Sequence, residues 1–529
     1  MSSILLSFPP PPRSGHKNPE YLVYKELLQV LRFPRSSCLP YSCRTTVIVF
    51  DDRDDPRPVR ADVLVKGNVI FQVGQDLRPL DESTEIIDCT DKIVAPGFID
   101  THHHMWQTQL KGRFADSTLF DYLTKGWCQW DFFTAEDIFW GELSSCMEAL
   151  DSGTTTVVDH THCSRTPDHV TQAISATLTS GLRSFYCHAV VPEVKSWSPQ
   201  FVLGNSPAWG NELLKTLAQK SPFGPNGRVR MGFAFDHLYL PKDTVQEIIG
   251  TARQLNLFPL TAHAVGGALQ GFLLHIQQTH DYGLLGPDWI FSHGGYITLA
   301  ELDLLKQSGA TISVTPESEL QMGHPMSPIE SSDYSGLRDC CSIGIDCSCS
   351  NSGDVVTQMR LMLQSSRGIV GRQVKEKGKV AKELSVKIGE VYAMATIRAA
   401  RSLKLNADQL KEGGLADIVV YDTLSPSMIA GAAENPVAAI MLHSSVRDVN
   451  TVIVDGVVRK RDGKLLPVEL DADALVQVQE KVIGWNNVAQ QVLRSRLEIE
   501  GRMKDTDFSA SIVAQGLKEV FYLSDDVFV

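Results

Sequence analysis

Three consecutive imidazoles, those of His102, His103 and His104, end an apolar stretch that begins at Pro96. Side chains alternate between the two faces of a strand, so His102 and His104 are expected to point one way and His103 the other. Two imidazoles on one face can share a metal ion. A catalytic metal also needs further protein ligands and an open position for water, so the rest of the chain should supply those ligands.

The elements that position them are predicted from residue 96 onward, where short apolar runs alternate with longer helical patterns. This alternation is typical of βα units around a parallel sheet. We predict eight strands, at 97–100, 154–159, 183–187, 229–235, 259–262, 289–292, 311–314 and 341–345. Helices are expected between them, for example over 134–151, 166–180, 242–255 and 299–308, and the segment 196–211 is expected to be a long loop.

Eight βα units fit a closed barrel, in which the carboxyl ends of the strands meet on one face and catalytic residues collect there. Metal-competent side chains follow several of these predicted strands. His102 and His104 follow the first, and the others are His263 after the fifth, His293 after the sixth and Asp346 after the eighth. Each histidine alone is more often a core or surface residue, but their joint placement favours a metal site.

Segments on both sides of the barrel predict a second, composite unit. Short β-branched runs lie before the barrel, at 46–50, 61–65, 68–73 and 85–89, and after it, at 416–421, 449–454 and 457–459. We therefore predict a distorted (β/α)8 TIM barrel over 96–412 and a small composite β-sandwich domain over 45–95 and 413–470. The ends are predicted as a poorly ordered extension over 1–44, with a helical pattern at 21–31, and a helical tail over 471–529.

Composition narrows the class of partner. The net charge of −13 is spread along the chain, which argues against nucleic acid or an anionic membrane as the main partner and leaves a small-molecule substrate. Eleven cysteines without regular spacing, and no secretory signal, indicate free thiols in a reducing, cytoplasmic setting. No stretch has the roughly 18 to 20 apolar residues of a membrane span. The apolar face of the C-terminal tail would cover the barrel or a second subunit, so a homo-oligomer stays open.

An ordered set of motifs resembles the amidohydrolase superfamily, in the branch of cytosine, guanine and S-adenosylhomocysteine deaminases and triazine hydrolases. The motifs are Pro-Gly-Phe-Ile-Asp-Thr-His-His-His from Pro96, Leu-Thr-Ala-His from Leu260, Phe-Ser-His-Gly from Phe291 and Ile-Gly-Ile-Asp-Cys from Ile343. The resemblance implies a hydrolase that acts on a non-peptide C–N bond of a small cyclic molecule.

The same resemblance implies roles for individual residues. His102, His104, His263 and Asp346 would bind one divalent metal, since 228–237 lacks the lysine that bridges two metals in many relatives. Zinc is expected first, although these ligands also accept iron or manganese. The metal would lower the pKa of a bound water, and Asp346 would be the general base that takes its proton. His293 would stabilise the developing oxyanion.

One departure from the family pattern concerns the acid that protonates the substrate ring. Deaminases of this branch carry a glutamate three residues after the fifth-strand histidine, and Gly266 occupies that position here. Glu317 and Glu319, after the seventh strand, are the candidate substitutes. The alternative for each is a solvated loop carboxylate or a residue that starts a helix.

Further candidates for substrate contact have equally plain alternatives. Trp106 and Gln107 could line the pocket or simply pack in the core, and His324 could be a loop residue without function. His160 and Asp236 could contact substrate or hold the ligand histidines in place.

Three functions stay open for the whole chain: C–N hydrolysis, removal of another leaving group or a non-hydrolytic rearrangement, and a catalytically silent binding protein. The complete ligand set together with His293 argues against the silent protein.

Overall fold

A computed structural model of the chain describes residues 28–32, 46–197, 201–266, 275–407 and 409–506. Its central sheet has eight strands, and each pairs in parallel with the next one along the chain. The strands are Phe98–His103, Thr154–Thr161, Arg183–Ala189, Val229–Ala234, Leu260–Ala264, Trp289–His293, Thr311–Val314 and Cys341–Ile343. All eight predicted strands and the barrel fold are confirmed.

The barrel closes through a short, irregular contact between its first and eighth strands. The backbone N–H groups of Ile345 and Asp346 both donate to the carbonyl oxygen of His102, at 3.0 and 2.8 Å. In return, the backbone N–H of His104 donates to the carbonyl oxygen of Asp346 at 3.0 Å. Main-chain pairing alone therefore brings the first-strand histidines against Asp346.

Helices on the outside of the barrel connect its strands, and local sequence sets their ends. Thr134 and Asp137 form a capping box, and Gly153, at φ +91°, ends that helix and turns the chain into the second strand. The outer helices are Ala135–Ser152, Pro167–Ser180, Trp209–Lys220, Lys242–Gln254, His275–Asp281, Leu299–Ser308 and Val355–Glu376. Shorter α-helices are Leu119–Lys125, Pro316–Gln321, Ile388–Met394, Ile397–Ser402, Ile429–Glu434 and Pro436–Ala438.

A seven-stranded sheet joins the two flanking segments, as the composite prediction expected. Its central pair is Lys92–Pro96 antiparallel to Ile418–Asp422. In spatial order the strands are Lys464–Leu465, Val457–Arg461, Val449–Val454, Ile418–Asp422, Lys92–Pro96, Thr46–Phe50 and Pro56–Val59. Only Gly97 separates this sheet from the first barrel strand, and a Cβ there would lie 2.1 Å from Oγ1 of Thr155, so the close approach requires glycine.

A four-stranded sheet corrects one prediction about the N-terminal extension. Its strands are, in spatial order, Val69–Gly74, Asp62–Lys66, Leu28–Arg32 and Glu85–Asp88. Residues 28–31 belong to the helical pattern predicted over 21–31, yet they form a strand that pairs on both edges. Leu31 is fully buried in the core of this sheet, so tertiary pairing outweighs the local helical period. The rest of the predicted extension, 1–27 and 33–44, lies outside the described residues.

Two further predictions of local structure were wrong. The helix of the C-terminal tail, predicted from 471, begins only at Trp485 and ends at Met503. The helix Pro167–Ser180 holds 471–475 in a non-helical form with a turn at 472–473, because Gln172 bonds the backbone of both Asp473 (2.9 Å) and Leu475 (2.7 Å). The predicted loop 196–211 contains the strand Val202–Leu203, which pairs with Val194–Ser196, and the start of a helix at Trp209. The domain limits stay a prediction.

Two general expectations bear on the described residues. Their nine cysteines are free thiols, including Cys347 and Cys349 beside Asp346. Within these same residues, no helix combines the length and the apolar character that crossing a membrane would require.

Candidate metal centre and active-site cavity

Four predicted ligands converge at the carboxyl end of the barrel: His102, His104, His263 and Asp346. Oδ1 of Asp346 lies 3.2 Å from Nε2 of His102 and 3.1 Å from Nε2 of His104. Nε2 of His263 lies 3.3 Å from Nε2 of His104. One ligand atom from each of the four residues lies within 4.8 Å of all the others, which is close enough to bind a single ion.

The protonation of two rings tests whether this set fits a metal. Nδ1 of His104 faces the carbonyl oxygen of His160 at 2.5 Å, and a carbonyl only accepts, so Nδ1 carries the proton. Nδ1 of His263 likewise donates to the Asp236 carboxylate at 2.9 Å. When both rings are neutral, as metal ligands must be, the two Nε2 atoms present lone pairs to each other. Two facing lone pairs repel unless a cation lies between them, so the donor set fits a divalent metal.

Electrostatics support the same assignment. Burial lowers the pKa of His102 well below its usual value and also lowers that of His104, which keeps both rings in the neutral form that binds metals. Burial alone would raise the pKa of Asp346, but its hydrogen bonds to His102 and His104 hold it well below the usual range. The hydroxyl of Ser318 donates a further, short hydrogen bond to Oδ2 of Asp346. Asp346 is thus an ionised carboxylate beside the neutral rings of His102 and His104, whereas at His263 the Asp236 carboxylate outweighs burial and raises the pKa.

Backbone conformation singles out two residues at this rim. Asp346 has φ +71° and His293 has φ +76°, a region that side chains other than glycine rarely adopt. Such conformations persist where surrounding structure enforces them, often at functional sites. His293 stacks on His263, with ring centroids 5.5 Å apart, and its Nδ1 lies 2.8 Å from the Thr315 hydroxyl. It stands beside the four converging ligands, as the sequence predicted.

A second group of metal-competent side chains, His160, Asp236 and His263, behaves differently. Oδ2 of Asp236 accepts from Nδ1 of His263 (2.9 Å) and from Nε2 of His160 (3.2 Å), and the Thr261 hydroxyl lies 3.1 Å from Nδ1 of His160. Burial lowers the pKa of His160 to about 4. These bonds use the available donors and acceptors, so the group orients His263 rather than forming a separate ion site.

The cavity that opens above the converging ligands separates the remaining candidates. Asp236, Glu319 and His324 line it, whereas Trp106, Gln107, His160 and Glu317 do not. Trp106 packs against Phe133 with ring centroids 4.9 Å apart, and Gln107 donates to the Tyr122 hydroxyl at 2.6 Å. The sequence alternative of simple packing therefore fits these two residues.

The two candidate acids have different surroundings. Oε2 of Glu317 accepts from Ser352 N (2.9 Å) and from Gln358 Nε2 (2.8 Å), away from the cavity. Glu319 is 4% exposed, its Oε1 lies 3.7 Å from Nδ1 of His293, and its buried Oε2 has no hydrogen-bond partner among the described residues. Burial raises the pKa of Glu319. Only Glu319 can therefore present a proton to the cavity.

Sequence reasoning missed two polar residues at the site. His162 lines the cavity and its ring centroid lies 4.2 Å from that of His104. The same alternation that paired His102 with His104 could have paired His160 with His162 across the second strand end. Ser318, which bonds Asp346, carries no signal of its own in the sequence. Gly266 is at φ +74°, and a Cβ there would lie 2.9 Å from Cβ of Tyr296, so a glutamate does not fit without movement.

Comparison with known proteins agrees with the motifs. A family model described as the amidohydrolase family matches residues 93–459. The 5-methylthioadenosine/S-adenosylhomocysteine deaminase of Pyrococcus horikoshii is 25% identical over 438 residues, covering 78% of this chain and 93% of that protein. The 5'-deoxyadenosine deaminase of Methanothermobacter thermautotrophicus is 26% identical over 424 residues, with 78% and 91% coverage.

Two solved structures share the fold. The atrazine chlorohydrolase of Arthrobacter aurescens in complex with zinc superposes with a TM-score of 0.70 at 19% identity, covering 89% of this chain and all of that one. An adenosine deaminase from Xanthomonas campestris with bound zinc gives a TM-score of 0.67 at 16% identity, covering 88% of this chain and 100% of that one. The family match spans more than half of the chain. The chain therefore belongs to the amidohydrolase family, as a metal-dependent hydrolase of carbon–nitrogen bonds other than peptide bonds.

Proposed function

We propose that the chain is a zinc-dependent deaminase of a small aminated heterocycle, with His102, His104, His263 and Asp346 as the zinc ligands. The observation that carries the proposal is the convergence of one ligand atom from each of these four residues within 4.8 Å of one another, with Nε2 of His104 and Nε2 of His263 3.3 Å apart. The deaminase names of the matched relatives support the reaction, and the zinc complexes among the fold neighbours support the metal.

The chain's own residues divide the chemistry between them. When bound, a divalent ion supplies Lewis acidity and lowers the pKa of water. Asp346 takes the proton from the attacking water and delivers it to the departing amine, and Ser318 holds that carboxylate in place. His293, whose Nδ1 lies 2.8 Å from the Thr315 hydroxyl, would hydrogen-bond through Nε2 to the negative charge that develops on substrate.

Glu319 fills the role that Gly266 leaves vacant. Its raised pKa favours the protonated carboxyl, and its Oε2 has no protein acceptor among the described residues. A ring nitrogen of the substrate would be the acceptor for that proton. Two residues earlier, the Glu317 carboxylate accepts hydrogen bonds from Ser352 and Gln358. Glu317 therefore serves as the control.

The experiment that tests the function combines metal analysis with an ammonia assay. Purified protein is expected to contain roughly one zinc per chain and to release ammonia from members of a panel of aminopurines, aminopyrimidines and aminotriazines. The double variant His102→Ala/His104→Ala should lose both. If protein purified from cells grown in metal-replete medium contains no zinc, iron or manganese, the metal site is refuted and the catalytically silent binding protein is favoured.

A second candidate function is hydrolytic removal of a leaving group other than an amine. The absence of the usual glutamate at Gly266 favours it, because deamination of a ring amidine depends on that acid more than displacement of a better leaving group does. Release of chloride or methanethiol from the corresponding substituted heterocycles, without ammonia from the amino compounds, would establish this alternative.

A further inference from the structure

Part of the cavity lining is apolar. Leu119 and Leu123 of the helix Leu119–Lys125 line it together with Trp127, Val190, Val191 and Leu203, which come from separate segments. Such a wall buries hydrocarbon or aromatic surface of a ligand favourably, at roughly 25 cal/mol per Å² of apolar area. It offers no charged side chain to a ligand substituent.

The charge on the rest of the lining has one sign. The carboxyl side chains in the lining are Asp236, Glu319 and Asp346, and neither lysine nor arginine lines the cavity within the part of the chain that is described. The stretches 198–200 and 267–274, which lie outside that part, also contain no lysine or arginine in sequence. Among the described residues, an anionic ligand group would therefore find no lysine or arginine partner in the lining.

The remaining basic side chains near the cavity are histidines and one arginine. Six histidines line the cavity: His104 and His263 are proposed zinc ligands, the rings of His162 and His293 pack on those two, His237 lies within hydrogen-bond distance of the Tyr239 hydroxyl and the Val190 carbonyl oxygen, and the sixth is His324. A neighbouring depression that shares Val191 and Pro192 with the cavity contains Arg165, but Nε of that guanidinium lies 3.4 Å from Oδ1 of Asp131. Its charge is already matched by a carboxylate.

We propose that the substrate is a neutral heterocycle with an apolar substituent, and that the cavity rejects molecules with a phosphate, a carboxylate or an amino-acid tail. Burying an anion without a partner costs several kcal/mol, and sites that leave a buried charge unpaired discriminate strongly against it. Neutral imidazoles such as His162 still offer hydrogen bonds to ring nitrogens or hydroxyls. This inference rests on the proposed hydrolase function of the same site.

The consequence for the substrates named in the relatives is specific. 5-Methylthioadenosine and S-adenosylhomocysteine share the adenosine and the thioether sulfur, but only the second carries an ammonium and a carboxylate on its tail. The cavity of this chain should accept the first kind of tail and reject the second.

The test uses the zinc-loaded full chain and matched pairs of amino heterocycles, in each of which one member carries an added anionic group or an amino-acid tail. Pairs are 5-methylthioadenosine with S-adenosylhomocysteine, 5'-deoxyadenosine with adenosine 5'-monophosphate, and alkylaminotriazines with their carboxyalkyl analogues. Ammonia release should give a kcat/KM at least about 100-fold higher for the neutral member. An anionic member turned over equally well or better would overturn the inference while leaving the hydrolase function intact.

Binding separates the inference from the function if no compound releases ammonia. The same pairs are then titrated calorimetrically into the same protein, where turnover no longer interferes. Neutral members binding at least about tenfold more tightly support the apolar, anion-rejecting cavity. Equal or tighter binding of the anionic members overturns it.

A charge-gain variant provides an independent readout. Leu123→Arg adds a cation to the apolar wall and should reduce the ratio of kcat/KM between the neutral and the anionic member at least about tenfold. Leu123→Gln adds a polar but uncharged side chain and should leave that ratio near wild type. Equal ratios in the two variants would contradict the electrostatic reason. If Leu123→Arg does not fold, the wild-type pairs decide the question.

Discussion

Two clusters of buried charge lie at opposite ends of the barrel, and they differ in how fully they are paired. At the amino end, Arg183 begins the third strand and donates to Asp417 (2.6 and 3.1 Å) and to Asp455 (3.0 Å). Asn226 bonds the remaining oxygen of Asp455 at 2.8 Å. Every carboxylate oxygen there has a donor, and the cluster ties the barrel to the seven-stranded sheet.

The cluster at the carboxyl end is incomplete without a further partner. Nε2 of His104 and Nε2 of His263 lie 3.3 Å apart, and Nδ1 of His102 and Oε2 of Glu319 are buried without hydrogen bonds among the described residues. Asp346 also has a positive φ. Because unpaired buried polar groups destabilise a fold, their concentration at a cavity indicates that a ligand completes them. Complete pairing indicates a structural role, and incomplete pairing at a cavity indicates function.

The largest effect is expected from a substitution that breaks the carboxyl-end cluster. Asp346→Asn removes both the proposed base and an ionised ligand, so kcat should fall about 10⁴-fold while the melting temperature changes little. Ammonia release and circular dichroism measure the two quantities. Asp354→Asn is the matched control, since Asp354 caps the helix Val355–Glu376 at Thr357 N, outside the cavity lining. Activity retained in Asp346→Asn would remove this residue from the mechanism.

The amino-end cluster should respond in the opposite way. Arg183→Met leaves Asp417 and Asp455 buried without their cation, which should cost about 3 to 5 kcal/mol in the free energy of unfolding measured in urea. Zinc content and turnover per folded molecule should stay unchanged. Arg494→Ala breaks exposed pairs with Glu136 and Glu498 and should cost under about 1 kcal/mol. A stable Arg183→Met protein that loses zinc would contradict the division of roles.

The sequence predicted the carboxyl-end cluster well because its chemistry is local to strand ends. His102, His104, His263, His293 and Asp346 each lie at or just beyond the carboxyl end of a strand, and barrel topology brings strand ends together without knowledge of packing. Period and turn residues likewise located all eight strands.

The failures share a different cause, since they depend on contacts distant in sequence. Nothing local distinguishes Glu317 from Glu319, and only the positions of Ser352 and Gln358 decide which carboxylate turns from the cavity. Trp106 follows the metal ligands in sequence as a pocket residue would, and only its packing against Phe133 shows that it belongs to the core. The non-helical form of 471–475 depends on Gln172, about 300 residues earlier. Local pattern therefore predicts what a residue can do, and tertiary contacts decide whether it does so.

A smaller effect sharpens the comparison within the carboxyl-end site. Glu319→Gln keeps the shape but cannot give up a proton, so kcat should fall about 100-fold. Glu319 acts in its protonated form, so wild-type activity should decline as pH rises through its raised pKa. Glu317→Gln, with the same chemical change, should leave kcat and its pH profile near wild type. Equal losses in the two variants would show that burial alone does not identify the acid.

The smallest expected effect tests an unpaired atom that lies away from any cavity. Burial raises the pKa of Asp159 to about 7, its Oδ1 accepts from Met105 N at 3.3 Å, and its Oδ2 has no hydrogen bond within the described chain. The folded state thus holds a proton that the unfolded chain releases near its ordinary pKa. This contribution to stability is fully present below that ordinary value and is lost as pH rises through about 7.

Asp159→Asn removes this titration, so the wild type should lose about 1.4 kcal/mol of unfolding free energy between pH 6 and 8 relative to the variant. Urea denaturation at the two pH values measures the difference, and turnover should stay near wild type because Asp159 does not line the cavity. Parallel pH dependence of the two proteins would show that the carboxyl is ionised in the fold. If the expected difference is found, a buried atom without a hydrogen bond outside the active-site cavity affects stability alone. This effect distinguishes Asp159 from the atoms that surround the proposed zinc, which affect turnover.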